Sequence, residues 1–353
     1  MKTIVISGAH SGVGKTTIAK ELVALLPGSA FVKIGHHPKN EAKSDLLYPM
    51  GTSFRELSLR HSESPYLIIE SNSILSQFSP DCAIFLDADR PKPSAAIAKE
   101  KANLISGRHA DVATIQTLSV RLGIDDKTMR RIAWLSGARP SPLTVIILAG
   151  GKSTRMGTNK AFLTVNGITL VERLTKTFRP LCDHVIVCTG TTGGFSNVFS
   201  TVADHYPELG PISGIHAGLV ASQTENNFVI ACDIPYVNVS VMNKLLASSE
   251  EYDIAAACFQ NSRPEPLFAF YRKHVAEIAQ RLLLKRRLKA RFLLEECHSI
   301  VQNFSNAGWY ANLNSPDDFQ RFLGSLGTSS GDEATAHEHV ASFCQSGKKE
   351  TVV

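Results

Sequence analysis

No stretch of the 353 residues reaches about 18 consecutive apolar side chains, the length a membrane-crossing helix needs. The opening run MKTIVIS stops at a glycine-rich loop, too short for a signal peptide or a span. Cysteine is sparse and unpaired. The seven, Cys82, Cys182, Cys188, Cys232, Cys258, Cys297 and Cys344, form no C-x-x-C pair, and no histidine cluster has zinc-finger spacing. An odd number of scattered thiols points to a reducing compartment rather than a disulfide framework. There is also no large charge excess: 37 Lys and Arg against 32 Asp and Glu give +5. Residues 1–140 hold 18 basic and 13 acidic side chains and residues 141–326 hold 17 and 15, too even for nucleic-acid binding as a main purpose. These absences predict a soluble, cytoplasmic protein with no membrane or nucleic-acid partner.

What is present is globular. Apolar residues make up 43% and charged residues 20%, and the length fits about two domains. Two segments share one grammar: an apolar strand, a glycine-rich turn with a basic residue, then a helical pattern. The first runs from residues 3–7 through SGAHSGVGKTT to a helix over 18–26. The second runs from 143–148 through AGGKSTRMGTNK, then 162–165, to a helix over 168–178. Loop spacing and length differ, so these are two α/β nucleotide-type domains rather than a repeat. Further strands are predicted at 30–34, 66–70 and 83–87, and two short helices in 112–136 around Gly123-Ile124-Asp125, with Asp125 or Asp126 as N-cap. Gly137-Ala138-Arg139-Pro140-Ser141-Pro142 breaks regular structure, which sets a first domain at 1–137, a linker at 138–142 and a second domain at 143–326. In the second domain strands are predicted at 143–148, 184–188, 199–203, 227–231, 253–258 and 266–271. Helices are predicted near 168–179, 212–222, 240–247, 274–284 and 316–323, the whole implying a mostly parallel sheet. From Gly327 onward periodicity fades, and 327–353 reads as a disordered tail.

Ala9-His10-Ser11-Gly12-Val13-Gly14-Lys15-Thr16 is nearly G-x-x-x-x-G-K-[ST], with Ala9 where the first Gly belongs and Gly8 one place early. Gly12 and Gly14 let backbone N–H groups wrap a phosphate, and the helix beginning near Lys15 adds its positive end. Lys15 would reach the β- and γ-phosphates, and Thr16 would hold Mg²⁺. A metal-side carboxylate should end a neighbouring strand: Glu70 is the first choice and Asp87 the second.

The segment Leu148-Ala149-Gly150-Gly151-Lys152-Ser153-Thr154-Arg155-Met156-Gly157-Thr158-Asn159-Lys160 carries the most information. Gly150 and Gly151 permit close backbone approach to a triphosphate; Arg155 offers a planar fork and Lys160 a second cation. Gly210-Pro211 opens a later helix. Asp233, in Cys232-Asp233-Ile234-Pro235, follows the apolar strand 228–231, a position where α/β folds place a metal ligand. Asn312-Leu313-Asn314-Ser315-Pro316-Asp317-Asp318 opens a last helix, with Ser315 as N-cap and Pro316 at its first position.

The second half, about 143–323, resembles the molybdenum cofactor guanylyltransferase (MobA) family through the pattern L-A-G-G-x-x-x-R-M-G-x-x-K and the order of the later segments. The resemblance implies a nucleotide-diphospho-sugar transferase-like fold and transfer of a guanylyl group from GTP to molybdopterin, releasing pyrophosphate. It also implies nucleotide contacts from Leu148, Ala149, Gly150, Gly151, Arg155 and Lys160, Mg²⁺ on Asp233, and guanine on Asp204. Asn312 and Asn314 match the family's late Asn-x-Asn-[ST]-Pro segment and would contact substrate. One departure is Cys188, where the family often has Asn at the nucleotide. The first half resembles the P-loop accessory proteins of the same pathway, the MobB family, and Val32-Lys33-Ile34-Gly35-His36-His37 is similar to a strand-plus-histidine segment of that family. Together the two resemblances imply an α/β chain of two Rossmann-like domains, with GTP and molybdopterin as small-molecule partners and a molybdoenzyme or cofactor chaperone as a protein partner.

Competing readings remain open from sequence. A cytidylyltransferase or sugar-phosphate nucleotidyltransferase uses related glycine-rich loops. A GTP-binding adaptor could keep the fold for cofactor delivery alone, although intact Arg155, Lys160 and Asp233 argue for catalysis. A helix-turn-helix regulator at 112–136 is a third class. Arg281, Lys285, Arg286, Arg287, Lys289 and Arg291 read either as the solvated face of an amphipathic helix or as an attractor for an anionic pterin phosphate.

Overall fold

The computed structural model describes residues 1–35, 47–93, 95–150, 160–190, 200–260, 263–305, 310, 312, 313 and 315–327. It divides into two compact units, Met1–Ser141 and Pro142–Val353.

The first unit runs β1 (Lys2–Gly8), α1 (Lys15–Leu25), β2 (Ala30–Ile34), β3 (Leu47–Tyr48), α2 (Phe54–Arg60), β4 (Tyr66–Glu70), β5 (Cys82–Leu86), α3 (Ala95–Glu100), β6 (Leu104–Ile105), α4 (Val112–Leu122) and α5 (Asp126–Leu135). Its six strands pair in parallel in the order β3-β2-β4-β1-β5-β6. The central strands β1, β4 and β5 are buried along nearly their whole length, as their unbroken apolar runs require of a sheet covered on both faces. Asp125 is the N-cap of α5, accepting from the Thr128 N–H at 2.8 Å, and Gly123 closes α4 in the left-handed region at φ 69°. The segment 138–142 is not a bare linker. Arg139 pairs with His109 as a β-bridge, Gly107 N–H donates to the Gly137 carbonyl at 2.9 Å, and Ala138 is buried. Backbone groups that a solvated linker leaves to water are met here by residues 107–110, so 138–141 belong to the first unit.

The second unit runs β7 (Leu143–Leu148), β8 (Thr164–Val165), β9 (Ile168–Thr169), α6 (Leu170–Phe178), β10 (His184–Cys188), β11 (Ser200–Val202), α7 (Pro211–Ala221), β12 (Asn226–Ala231), α8 (Val239–Ala247), β13 (Ile254–Phe259), β14 (Pro264–Arg272), α9 (Val275–Leu284), α10 (Arg291–Glu296), β15 (Ser299–Phe304) and α11 (Pro316–Gly327). The seven-stranded sheet has the order β11-β10-β7-β12-β14-β13-β15. It is parallel except for β14, which runs antiparallel to both β12 and β13. The connection from β13 to β14 is too short for a parallel crossover, so the two strands form a hairpin. A second small hairpin, β8–β9, turns at Asn166 and Gly167, both at positive φ. Its last residue, Thr169, forms a reciprocal capping box with Glu172 at the start of α6. Helix α7 lies close on the sheet: a Cβ at Gly218 would overlap the Ile146 Cγ2 methyl, and one at Gly214 would come 3.0 Å from Leu148 Cδ2.

The basic segment 281–291 is not one helix face. Helix α9 ends at Leu284, Arg286 turns at φ 57°, and α10 begins at Arg291. Arg287 is held there by Glu295 at 3.2 Å and by Glu296, and its guanidinium lies 4.2 Å from the Phe292 ring centre.

Candidate active site

The parallel strands of the second unit all deliver their carboxyl ends to one edge. In register, Leu148 of β7 lies between Cys188 of β10 and Ala231 of β12, and Cys188 lies beside Val202 of β11. Gly150, Gly190, Asp204 and Asp233 each follow their strand by two residues and so cluster at that edge. The chain leaves β7 for β10 and β11 on one side and returns to β12 on the other, so the crevice between β7 and β12 is the switch point where open α/β sheets bind ligands.

An ion pair bridges this crevice. Lys160 Nζ donates to Asp233 Oδ2 at 2.8 Å, and the two side chains are only 16% and 18% exposed. The Asp233 backbone is fixed by Leu313 N–H, which donates to its carbonyl at 2.9 Å. Asp233 Oδ1 and Asn312 Oδ1 are both buried, with no hydrogen-bond partner among the described residues. Leu148 and Ala149 are buried at the strand end, with Ala149 N–H donating to Cys188 carbonyl at 2.8 Å. Gly150 is a close approach: a Cβ there would meet Gly190 N at 2.9 Å and Thr189 C at 3.1 Å. Asp204 sits after β11 with Oδ1 buried and unpartnered among the described residues. Burial pushes its carboxyl above the usual carboxylate range, while the adjacent Ser213 and His205 pull it back. Cys188 does not face this edge; it is buried under α7, its sulfur 3.1 Å from where a Gly218 Cβ would stand.

Among the described residues no group of three or more His, Cys, Asp or Glu side chains gathers to form a protein-only metal cage. One carboxylate with a spare oxygen fits Mg²⁺ held jointly with substrate phosphates. Asp233 Oδ1, buried and unpartnered, has that character. A cleft lined by Thr175, Arg179, Asp183, His184 and Gln223 shares no residue with the cluster.

The first unit builds a second anion-suited site. Gly12 and Gly14 take φ of 88° and 95°, and α1 begins with no side-chain cap and no acidic residue in its first turn. Ala9 is accommodated because its backbone continues strand-like pairing, N–H to the Leu86 carbonyl at 2.9 Å. The residue that must lack a side chain is Gly8, where a Cβ would stand 2.6 Å from Val13 Cγ1. Lys15 folds back to donate to the His10 carbonyl at 2.8 Å. Burial pulls its ammonium below the usual lysine range, and Glu70 opposes that pull. Thr16 Oγ1 donates to Glu70 Oε2 at 2.5 Å, and Lys33 Nζ lies 3.1 Å from Glu70 Oε1. Asp87, the second-choice carboxylate, is taken by Lys99 at 2.6 Å.

A MobA-like NTP transferase domain matches residues 145–300. A probable molybdenum cofactor guanylyltransferase of Clostridium perfringens is 35% identical over 191 residues, which are 50% of this chain and 94% of that protein. This chain belongs to the molybdenum cofactor guanylyltransferase family. A relative with the same printed name from Carboxydothermus hydrogenoformans is 29% identical over 189 residues, 51% of this chain and 95% of that one. A molybdenum cofactor guanylyltransferase of Vibrio campbellii is 29% identical over 191 residues, 52% and 96% of the two chains. Among the described residues no helix is long and apolar enough to cross a membrane.

Within the guanylyltransferase unit, Gly151, Arg155 and Asn314 lie outside the described residues, as do His36 and His37 of the first unit and the tail 328–353. Two residues of the cluster went unread from sequence. They are Glu265, on β14, whose carboxyl is pushed above the usual carboxylate range by burial, and Tyr310, which lies near it. Neither sits in a glycine-rich or Asp-x-Pro motif; the one signal was a lone acidic residue inside the apolar strand PEPLFAFY.

Proposed function

We propose that the second unit transfers a guanylyl group from GTP to molybdopterin, forming the guanine dinucleotide and releasing pyrophosphate. The first unit binds a nucleoside triphosphate on its P-loop as an accessory domain, in the manner of the MobB family. The observation that carries the transferase reading is the Lys160–Asp233 ion pair at the β7–β12 switch point, with Asp233 Oδ1 left unpartnered.

In this reaction an oxygen of the molybdopterin phosphate attacks the α-phosphorus of GTP. The bond to the β-phosphate oxygen breaks, and pyrophosphate leaves with that electron pair. The attacking group is already an anion, so the protein needs no strong general base; its task is positioning and charge relief. Mg²⁺, held by Asp233, would supply Lewis-acid neutralisation of the phosphates. Lys160 exchanges its present partner for triphosphate oxygens, which frees Asp233 at the same time. Arg155 takes the same phosphates with its fork. The backbone at Leu148, Ala149 and Gly150 lies beside the nucleotide, and Gly150 lets this segment pack against Thr189 and Gly190, where a Cβ would clash. Asp204 Oδ1 accepts from guanine N1–H and the 2-amino group, two donors that adenine lacks. On the first unit, Lys15 and the N–H groups of Gly12 and Gly14 bind phosphate, and Thr16 with Glu70 forms the metal side.

The test is pyrophosphate release by the full chain with molybdopterin and, in turn, GTP, CTP, ATP and UTP. Release that is strongest with GTP and absent without molybdopterin is expected. Equal release with CTP would overturn the nucleotide assignment.

A further inference from the structure

Lys33 and Glu70 are direct neighbours in register on the parallel strands β2 and β4, so their side chains leave the same face of the sheet. Glu70 ends β4 with its side chain only 6% exposed, whereas the Lys33 side chain is 45% exposed. A carboxylate that dry needs a cation beside it, and the register supplies one. Lys33 Nζ lies 3.1 Å from Glu70 Oε1 and donates to Thr16 Oγ1 at 3.3 Å, while Thr16 Oγ1 donates to Glu70 Oε2. One ammonium thus touches both groups that the P-loop pattern assigns to a metal ion. It is a stand-in cation, and the hydroxyl and carboxylate it bridges are the donor set Mg²⁺ takes beside a triphosphate.

The two cations compete for those oxygens, and their charges repel. Without phosphate the ammonium has the advantage: its own strand tethers it at the site, while Mg²⁺ must shed part of a tightly held water shell. A triphosphate reverses the balance. It brings negative charge to a loop where Lys15 donates to the His10 carbonyl at 2.8 Å and Lys92 Nζ donates to Ser11 Oγ at 3.1 Å. Its oxygens offer the half-exposed Lys33, on its flexible four-carbon stem, a new partner, and they supply Mg²⁺ with ligands that the protein does not.

We propose that Lys33 is a resident counter-cation of the first unit: it holds the Glu70 and Thr16 oxygens against free divalent metal and yields them when phosphates arrive with the ion. The unit then takes metal and nucleotide together, and not metal alone. The proposal rests on the P-loop reading of this unit and adds to it the control of metal entry.

The experiment measures Mn²⁺ binding to the full chain by electron paramagnetic resonance without nucleotide, on an Asp233→Asn background that removes the second unit's metal ligand. Lys33→Gln removes the charge and keeps a donor for Glu70. It should tighten Mn²⁺ binding by about 10-fold or more, because a like charge within about 4–6 Å shifts the affinity of an ionic site by about 1–3 powers of ten. Lys33→Met should do the same and serves if Lys33→Gln does not fold. Lys33→Arg, which keeps the charge, should leave Mn²⁺ excluded, and adding Glu70→Gln to Lys33→Gln should abolish the gained site. A merely structural ion pair gives a loss of stability and no gain in metal affinity. Calorimetry with ATP and GTP in turn, with Mn²⁺ present, tests the P-loop reading separately. If Lys15→Ala removes no nucleotide binding, that reading fails and the proposal falls with it. If Lys15→Ala removes the first unit's binding, but folded Lys33→Gln and Lys33→Met proteins bind Mn²⁺ no tighter than the parent, the P-loop reading stands and the proposal is overturned. A gain that survives Glu70→Gln overturns it too.

Discussion

Changing Asp233 to asparagine keeps the side chain's shape and removes its charge, which separates electrostatics from packing. The carboxylate's partner is Lys160 Nζ at 2.8 Å, with both groups mostly shielded from water. At an effective dielectric of about 20, unit charges at this separation attract by about 6 kcal/mol, most of which offsets the cost of drying them. The net loss of stability on breaking the pair is then about 1–3 kcal/mol, a fall of about 2–10 °C in Tm for a unit of this size. Turnover should suffer more. The reaction joins two anions, and an electrostatic group aimed at charge developing in the transition state is worth about 10²–10³ in rate. The assay is pyrophosphate release at saturating GTP and Mg²⁺, paired with circular dichroism to confirm folding. A folded Asp233→Asn protein that turns over within about three-fold of the parent, against the expected factor, would falsify the metal role and most of the mechanism built on it.

Asp204→Ala should erase the preference for GTP over ATP, at about 1.5–3 kcal/mol for each lost charge-assisted bond, measured as the ratio of kcat/KM values. Because burial raises the Asp204 carboxyl, the folded chain holds that proton more tightly than the unfolded chain. Its contribution to stability is thus full below the ordinary carboxylate range and is lost as pH rises through the raised value. Asp204→Asn should therefore remove that part of the decline in Tm as pH rises from the ordinary carboxylate range through the raised value, and an unchanged profile would contradict the assignment. Lys15→Ala should abolish nucleotide binding by the first unit, seen by calorimetry, and leave guanylyl transfer largely intact; loss of transfer in a folded variant would show that the first site drives the second. Gly150→Ala meets backbone atoms of Gly190 and Thr189 that cannot swing aside, so it should cost about 1–3 kcal/mol in a denaturation curve.

The long strands were legible because each is a continuous apolar run: 30–34, 66–70, 143–148 and 184–188 were expected with the bounds observed. Helix starts with side-chain caps were legible too. Ser315 accepts from Asp318 N–H at 3.2 Å and Pro316 begins α11, as the Ser-Pro-Asp-Asp signal implies. Short elements were missed, among them α2, α3, α10 and β15. The β15 residues SIVQNF show neither clean alternation nor a full apolar run, because an edge strand is only half-covered. α10 was hidden by the basic run, whose charges drew the eye from the buried Leu293 that seats the helix. The crevice ligands with motif spacing, Lys160 and Asp233, could be read from local pattern. Glu265, Tyr310 and the Lys33–Glu70 pair could not, since their meeting depends on strand order and on an antiparallel β14 rather than on distance along the chain.

The most direct test of the central claim follows the transferred group itself. The full chain is incubated with molybdopterin, Mg²⁺ and GTP labelled at the α-phosphorus, and the pterin product is isolated and weighed by mass spectrometry. The account predicts that the label appears in a molybdopterin guanine dinucleotide in step with pyrophosphate release, and that α-labelled CTP leaves the pterin unlabelled. An unlabelled pterin after GTP is consumed, or label entering equally from CTP, would contradict it.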